Sequence, residues 1–142
     1  MEDNPEFKAR ERLIQEAYNM RRLNASKHSN FPVLLAYDTQ SLPYHVITEF
    51  ESFGNLLKFV QNSREDHQLT LRSNQLLLML KDITDALLHL KKLGLVHRAI
   101  MAENVLVGDN YVCKLSGLHA MKELTGLGKL NELWKLAVLS EE

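Results

Sequence analysis

The sequence has 142 residues, enough for one modest domain with a single core. It is 45% hydrophobic and 25% charged, a globular composition, and its formal net charge of −1 provides no bulk attraction to nucleic acid or anionic lipid. A single cysteine, Cys113, excludes an intrachain disulfide and fits a reducing compartment, while His28, His45, His67, His89, His97 and His119 fall at no zinc-ligand spacing.

The amino terminus, MEDNPEFKAR, is acidic and polar, so it does not read as a signal peptide. No run approaches the ~20 apolar residues of a spanning helix. The richest, Leu76 to Leu80, is cut by Lys81 and Asp82. Pro5 to Leu23 is predicted helical. Asn4 can cap it, Pro5 suits the first turn, and Phe7, Leu13, Ile14, Ala17, Met20 and Leu23 form an apolar stripe. Glu16 lies beside that stripe, where a lone acid is ordinarily solvated. Asn24 to Asn30 is turn chemistry.

Phe31 to Tyr37 and Tyr44 to Phe50 are predicted strands, joined as an antiparallel hairpin through Asp38 to Pro43. Gly54 breaks the chain, Asn55 to Val60 suits a short helix, and Gln61 to Thr70 reads as exposed and polar. Ser73 to Leu93 is the strongest helix, capped by Ser73 or Asn74 and ended by Gly94. Leu76, Leu80, Ile83, Leu87 and Leu90 recur at helical spacing. Leu77, Leu78, Met79, Ala86 and Leu88 widen the stripe past half the circumference, the pattern of a buried helix. Two short strands, Asn104 to Val107 and Val112 to Leu115, flank the turn Gly108-Asp109-Asn110. Ala120 to Glu142 suits an amphipathic helix, with Leu124, Leu127, Leu130, Leu133, Leu136, Leu139 and Trp134. Tyr18, Tyr37, Tyr44 and Tyr111 all fall in predicted structure, so none is singled out for phosphorylation.

The stretch Val96 to Lys114, VHRAIMAENVLVGDNYVCK, gives this order its meaning. HRAIMAEN resembles the tyrosine-kinase catalytic loop H-R-D-L-A-A-R-N. Leu13-Ile14-Gln15-Glu16-Ala17 resembles the kinase αC signature, and Ile47-Thr48-Glu49-Phe50 followed by Gly54-Asn55-Leu56-Leu57 resembles a tyrosine-kinase hinge. Four motifs in order and at the right spacing make the chain similar to the protein kinase superfamily from about Leu13 to Leu118, about half of a kinase domain. The resemblance implies a mainly helical α+β chain with a partial protein-kinase fold: an αC helix, two N-lobe strands, hinge, αD and αE helices, catalytic loop and two short C-lobe strands. Residues 5–50 would be a remnant of the N-lobe, 51–57 the hinge, 58–119 a remnant of the C-lobe, and 120–142 a divergent tail.

The resemblance also implies roles. Thr48 would be the gatekeeper, and Glu49, Phe50 and Glu51 would offer hinge backbone to adenine, with Gly54 closing the hinge. Leu106 would floor the adenine. Glu16 would pair with the lysine of the third N-lobe strand, and Asn104 would help hold a second Mg²⁺. His97 would be structural, and Arg98 would meet a phosphorylated residue or another acid.

Departures from the pattern set the functional expectation. The catalytic Asp position is Ala99, and a positioned base contributes on the order of 10²–10⁴-fold in rate. Aligned without a gap, the metal-binding D-F-G falls on Gly117-Leu118-His119. A two-residue deletion placing Gly117-Leu118 on the G-L after D-F lacks the acid too. Asp109 is the nearest carboxylate, in the preceding turn. The family's Arg before the catalytic Asn is Glu103. Only Met1 to Asn4 precede the αC-like helix, so no G-x-G-x-x-G loop and no V-A-I-K lysine lie within these residues, and no A-P-E follows. Lys114-Leu115-Ser116-Gly117-Leu118 is similar to the degenerate segment of a small branch of single-pass tyrosine-kinase-like membrane proteins, the "novel oncogene with kinase domain" type, which keeps its catalytic Asp.

These features lead to the expectation of a pseudokinase fragment that scaffolds a protein partner. The competing expectations are a tyrosine kinase active in a longer form, and a truncated product without function. ATP is expected to bind weakly, led by adenine, and Mg²⁺ not at all. The chain is expected in the cytoplasm, or on the cytoplasmic side of a membrane within a longer receptor-like protein, with no nucleic-acid partner. Strands and a long helix stripped of their usual cover should associate.

Overall fold

The computed structural model describes residues 5–65 and 72–124. Helix α1 spans Pro5–Asn24, opened by Pro5 and Glu6 and closed by Arg21 and Arg22, charges that suit the helix dipole. The expected cap, Asn4, lies outside the described residues. Strands β1 (Leu34–Asp38) and β2 (His45–Thr48) pair antiparallel, with Leu34 opposite Thr48 and an irregularity between Leu34 and Ala36. The first strand starts three residues later than expected. Phe31 and Pro32 are instead fully buried, and Asn24 draws the chain in by donating to the Pro32 carbonyl (2.9 Å) and accepting the Leu34 N–H (2.7 Å).

Helix α2 (Leu56–Glu65) is longer than expected at its far end, and most of the stretch read as exposed and polar beyond Val60 either continues it or lies outside the described residues. Its start is fixed by Asn55, whose side-chain oxygen accepts the Lys58 N–H at 2.9 Å. Helix α3 (Ser73–Lys92) is capped by neither Ser73 nor Asn74. Arg72 holds the N-cap position, and its N–H donates to the Gln75 side chain at 2.9 Å. Gly94 ends the helix at φ +68°, as expected of a left-handed cap.

Strands β3 (Leu95–Val96), β4 (Val105–Val107), β5 (Cys113–Leu115) and β6 (Lys122–Glu123) follow, with β4 against β5 and β3 against β6. Single 3₁₀ turns cover Ala102–Asn104, Asp109–Tyr111 and Leu118–Ala120. The amphipathic helix expected from Ala120 does not begin there. Lys122 and Glu123 pair with Val96 and Leu95, and the Leu124 N–H reaches the Gly94 carbonyl at 2.9 Å. The rest of that stretch lies outside the described residues.

Among the described residues, helices of 20, 10 and 20 residues outweigh strands of five or fewer, a mainly helical α+β arrangement in the element order the resemblance implies. The core gathers Met20 and Leu23 of α1, Phe31, Phe59 of α2, Met79, Ala86 and Leu90 of α3, and the inward residues Val105, Val107, Cys113 and Leu115, with Leu118 and Met121 completing it. Burial pushes the Cys113 thiol up to about 12, so this cysteine is packing rather than a nucleophile at neutral pH.

Helix α3 is not buried on every side. It covers only the stripe through Met79, Ala86 and Leu90, while Leu77 (65%), Leu78 (61%) and Leu80 (60%) stand exposed. The apolar width read from sequence therefore exceeds what these residues can cover. Tyr18 (61%) and Tyr37 (50%) are likewise exposed, although they sit in a helix and a strand.

Candidate functional site

The His-Arg loop is held by its neighbours rather than by a charged centre. His97 is 2% exposed. Its Nδ1 accepts the Ala99 N–H (3.2 Å), so Nε2 carries the proton and donates to the Ser116 carbonyl (2.7 Å). Burial holds this imidazole below its ordinary pKa, against the opposing pull of the Ser116 carbonyl and Glu16, so it is neutral at pH 7. Arg98 follows at φ +71°, a conformation L-residues rarely adopt. It is exposed and makes no ion pair among the described residues.

Asn104 ties the far end. Its side-chain amide donates to the Ala99 carbonyl (2.8 Å), and its own carbonyl accepts both the N–H (2.7 Å) and the hydroxyl (3.0 Å) of Ser116. Gly117 lies directly over that amide at φ +72°. A Cβ there would come within 2.5 Å of the Asn104 side chain, so the position admits only glycine without rearrangement. His97, Ala99, Asn104, Ser116 and Gly117 are thus brought into one network. None of them carries a carboxylate.

Glu16 comes to the same place from α1. It is neither a solvated flank acid nor, among the described residues, the partner of a lysine. Its carboxylate accepts the main-chain N–H groups of Leu118 (3.0 Å) and His119 (2.6 Å), and faces His119 Nδ1 at 3.2 Å. Sequence reading missed Asn19, buried one turn further along α1, whose amide donates to the Leu118 carbonyl at 2.6 Å. The spacing of Arg12, Glu16 and Asn19 on one face was the available signal.

The hinge forms a second cluster. The Phe53 N–H donates to the Val107 carbonyl (3.0 Å) and the Val107 N–H to the Gly54 carbonyl (2.8 Å), with Gly54 at φ +67°, while Asn55 bridges to Leu106. Helix α2 already begins at Leu56, inside the expected hinge span 51–57. The Thr48 hydroxyl donates to the Glu49 carbonyl (3.1 Å), and the Glu49 N–H to the Val33 carbonyl (3.0 Å). Phe50 is 88% exposed, whereas Glu51 is buried.

The side chains of Glu49 and Glu51 converge on Lys114 of β5, a partner that sequence reading did not single out. Lys114 Nζ lies 2.9 Å from Glu51 Oε1 but off the line of a hydrogen bond, so the attraction is that of an ion pair. Burial alone would raise the Glu49 carboxyl; Lys114 and the Val33 N–H overcome it and hold the group below its usual range. Burial would lower Lys114, and the two carboxylates hold it above its usual range instead. Gly108 makes room, since a Cβ there would meet Glu51 Oε2 at 2.0 Å. Asp109, the acid nearest the loop in sequence, accepts the Ser52 hydroxyl at 2.7 Å and so belongs to the hinge.

The cleft of about 640 Å³ beside this cluster is lined by Phe31, Val33, Glu49, Glu51, Val112 and Lys114, and by neither Thr48 nor Leu106. It shares Glu49, Phe50 and Glu51 with the expected adenine-facing hinge, but not the gatekeeper or floor positions. The residues present do not fit Mg²⁺: Gly117 offers no ligand, the Asn104 amide fills the space beside it, and no group of three His, Cys, Asp or Glu among the described residues is placed to hold a metal ion. They fit an adenine base in part. The Glu51 N–H has no partner among the described residues and is open to an acceptor such as a ring nitrogen of the base, with Thr48 and Leu106 the positions the resemblance would set around it. No phosphate loop of G-x-G-x-x-G form occurs in the 142 residues.

The family model described as protein tyrosine and serine/threonine kinase matches residues 1–129. The chain is 34% identical over 116 residues, 82% of its length, to the tyrosine-protein kinase transforming protein Abl of Abelson murine leukemia virus. It is 33% identical over 116 residues to tyrosine-protein kinase ABL2 of Homo sapiens. Against tyrosine-protein kinase Abl of Drosophila melanogaster it is 35% identical over 104 residues, 73% of the chain. These matches span 15%, 9% and 6% of the respective relatives.

Proposed function

Because this chain belongs to the protein tyrosine and serine/threonine kinase family, as a tyrosine-kinase-like fragment of a kinase domain, we propose that it works as a pseudokinase module, holding a form for a protein partner rather than transferring phosphate. One observation carries the reading. The loop keeps its costly shape, with Arg98 at φ +71° and His97 and Asn104 both engaged, while the two acid positions are Ala99 and Gly117. Phosphoryl transfer depends on positioning and on metal neutralising charge, and both contributions act through those acids. A shape kept without its chemistry suits a scaffold.

On this reading ATP binds weakly through its adenine, and Mg²⁺ adds nothing. The module works in the cytoplasm or at the cytoplasmic face of a membrane; no helix among the described residues is long and apolar enough to cross one. The test is transfer of radiolabelled phosphate to a tyrosine-containing peptide, alongside thermal unfolding with ATP, with and without Mg²⁺. No transfer and no Mg²⁺-dependent rise in Tm is the expected result. Transfer above background that is lost on Asp109→Asn would overturn it.

A second reading, a tyrosine kinase active in a longer form, is favoured by the names of the relatives, all tyrosine-protein kinases. It requires a base and a metal ligand in place of Ala99 and Gly117.

A further inference from the structure

We propose that Glu16, His119 and Arg12 form a latch that fixes α1 against the Gly117–Ala120 segment without nucleotide, with His119 as the positioning residue for the Glu16 carboxylate. The proposal rests on the pseudokinase reading, since a latch of this kind replaces what nucleotide and metal would otherwise organise.

The chemistry of the three side chains fixes their roles. Arg12 can only donate, and its Nη2 lies 3.1 Å from His119 Nε2. That nitrogen must therefore accept, which leaves the ring proton on Nδ1, aimed at Glu16 Oε2 at 3.2 Å. The same carboxylate accepts the Leu118 and His119 main-chain N–H groups. One acid thus meets three donors, and its charge is balanced through the imidazole by a guanidinium four residues earlier on the same helix face. Asn19, one turn on, holds the Leu118 carbonyl at 2.6 Å, and Arg22 pairs with Glu123 at 2.8 Å. A polar stripe along α1 therefore fastens both ends of residues 118–123, with Leu118 fully buried at the first end and Met121 buried between them.

Every donor and acceptor in this arrangement comes from the chain itself. The orientation of α1, which the resemblance ties to a lysine and bound nucleotide, is set here by contacts more than 100 residues apart in sequence. The outer face of α1 is then presented in one fixed position at all times.

Amide hydrogen exchange on the full chain tests this. The Leu118 and His119 amides should exchange slowly without ligand, and ATP with Mg²⁺ should change their rates by less than about twofold. Glu16→Gln should speed both by about tenfold. Arg12→Ala, at an exposed position, should speed them by about twofold, and that effect should vanish in a His119→Ala background, because Arg12 acts through the ring. The last pair keeps the test open if Glu16→Gln fails to fold. An Arg12→Ala effect of the same size with and without His119 would overturn the latch, as would a tenfold slowing by ATP with Mg²⁺ in the unaltered chain. Phosphate transfer by a chain whose amides behave as expected would remove the pseudokinase reading and leave the latch standing.

Discussion

Lys114 of β5 places its ammonium 2.9 Å from the carboxylate of Glu51 in the hinge, with both side chains mostly out of water. Two carboxylates share that one cation, since Glu49 is also its partner. Removing Lys114 leaves Glu51 charged and buried without compensation. Lys114→Met should cost about 3 kcal/mol, and adding Glu51→Gln should recover part of it, because the desolvated charge is then gone. Urea unfolding midpoints at constant m-value measure both.

The pH dependence of stability follows from His97. Its folded pKa is held below the ordinary value of 6.5, chiefly by burial. The unfolded chain therefore binds this proton more readily than the folded one. The stabilisation is complete above pH 6.5 and is lost as pH falls from there through the lowered folded value. His89 is displaced in the same direction, by burial, His28 and Lys92. Unfolding free energy should decline as pH falls below 6.5, and His97→Gln should flatten part of that decline while His89 keeps the remainder.

Restoring the missing acids should not restore chemistry. Ala99→Asp returns a base but no metal ligand, so phosphate transfer should stay at background in a radiolabel assay. Gly117→Asp should be worse than neutral. It forces an L-residue into φ +72° with its Cβ 2.5 Å from the Asn104 side chain. The strain should cost on the order of 1–3 kcal/mol, visible as a lower Tm.

The exposed leucines of α3 should drive association. Leu76, Leu77, Leu80 and Leu88 share one side of the helix, next to the buried stripe. An apolar surface of this kind tends to be covered by something. Sedimentation velocity on the 142-residue chain should show self-association that rises with concentration. Leu77→Glu with Leu80→Glu should reduce it without lowering secondary-structure content.

Much of the fold was legible because it is local. Pro5 and Glu6 open α1, Asn55 caps α2, and Gly94 stops α3, each through groups within a few residues. The pairing of β1 with β2 needs only a short loop between matched strands. The candidate site was legible as a list of positions and not as a set of contacts. Nothing near Glu16 in sequence announces the Leu118 and His119 amides, and nothing near Glu51 announces Lys114. The width of the apolar stripe on α3 pointed to full burial, since periodicity reports what a helix is able to bury and not what arrives to cover it. The strand at Lys122–Glu123 was hidden by leucine spacing that suits a helix, and its pairing with Leu95–Val96 is set from across the chain.

The sequence alone determined the helices, the hairpin, the His-Arg loop and the absence of a carboxylate at Ala99 and Gly117, because residue identity and short-range backbone preference suffice for each. Tertiary structure decided where the remaining charges went. Glu16 turned to the amides of Leu118 and His119, and Glu49 and Glu51 to Lys114, across separations of 63 to 103 residues. A partly buried charge must find a partner, but which of several distant candidates reaches it depends on how the elements pack, and that information is not carried by any one stretch of chain.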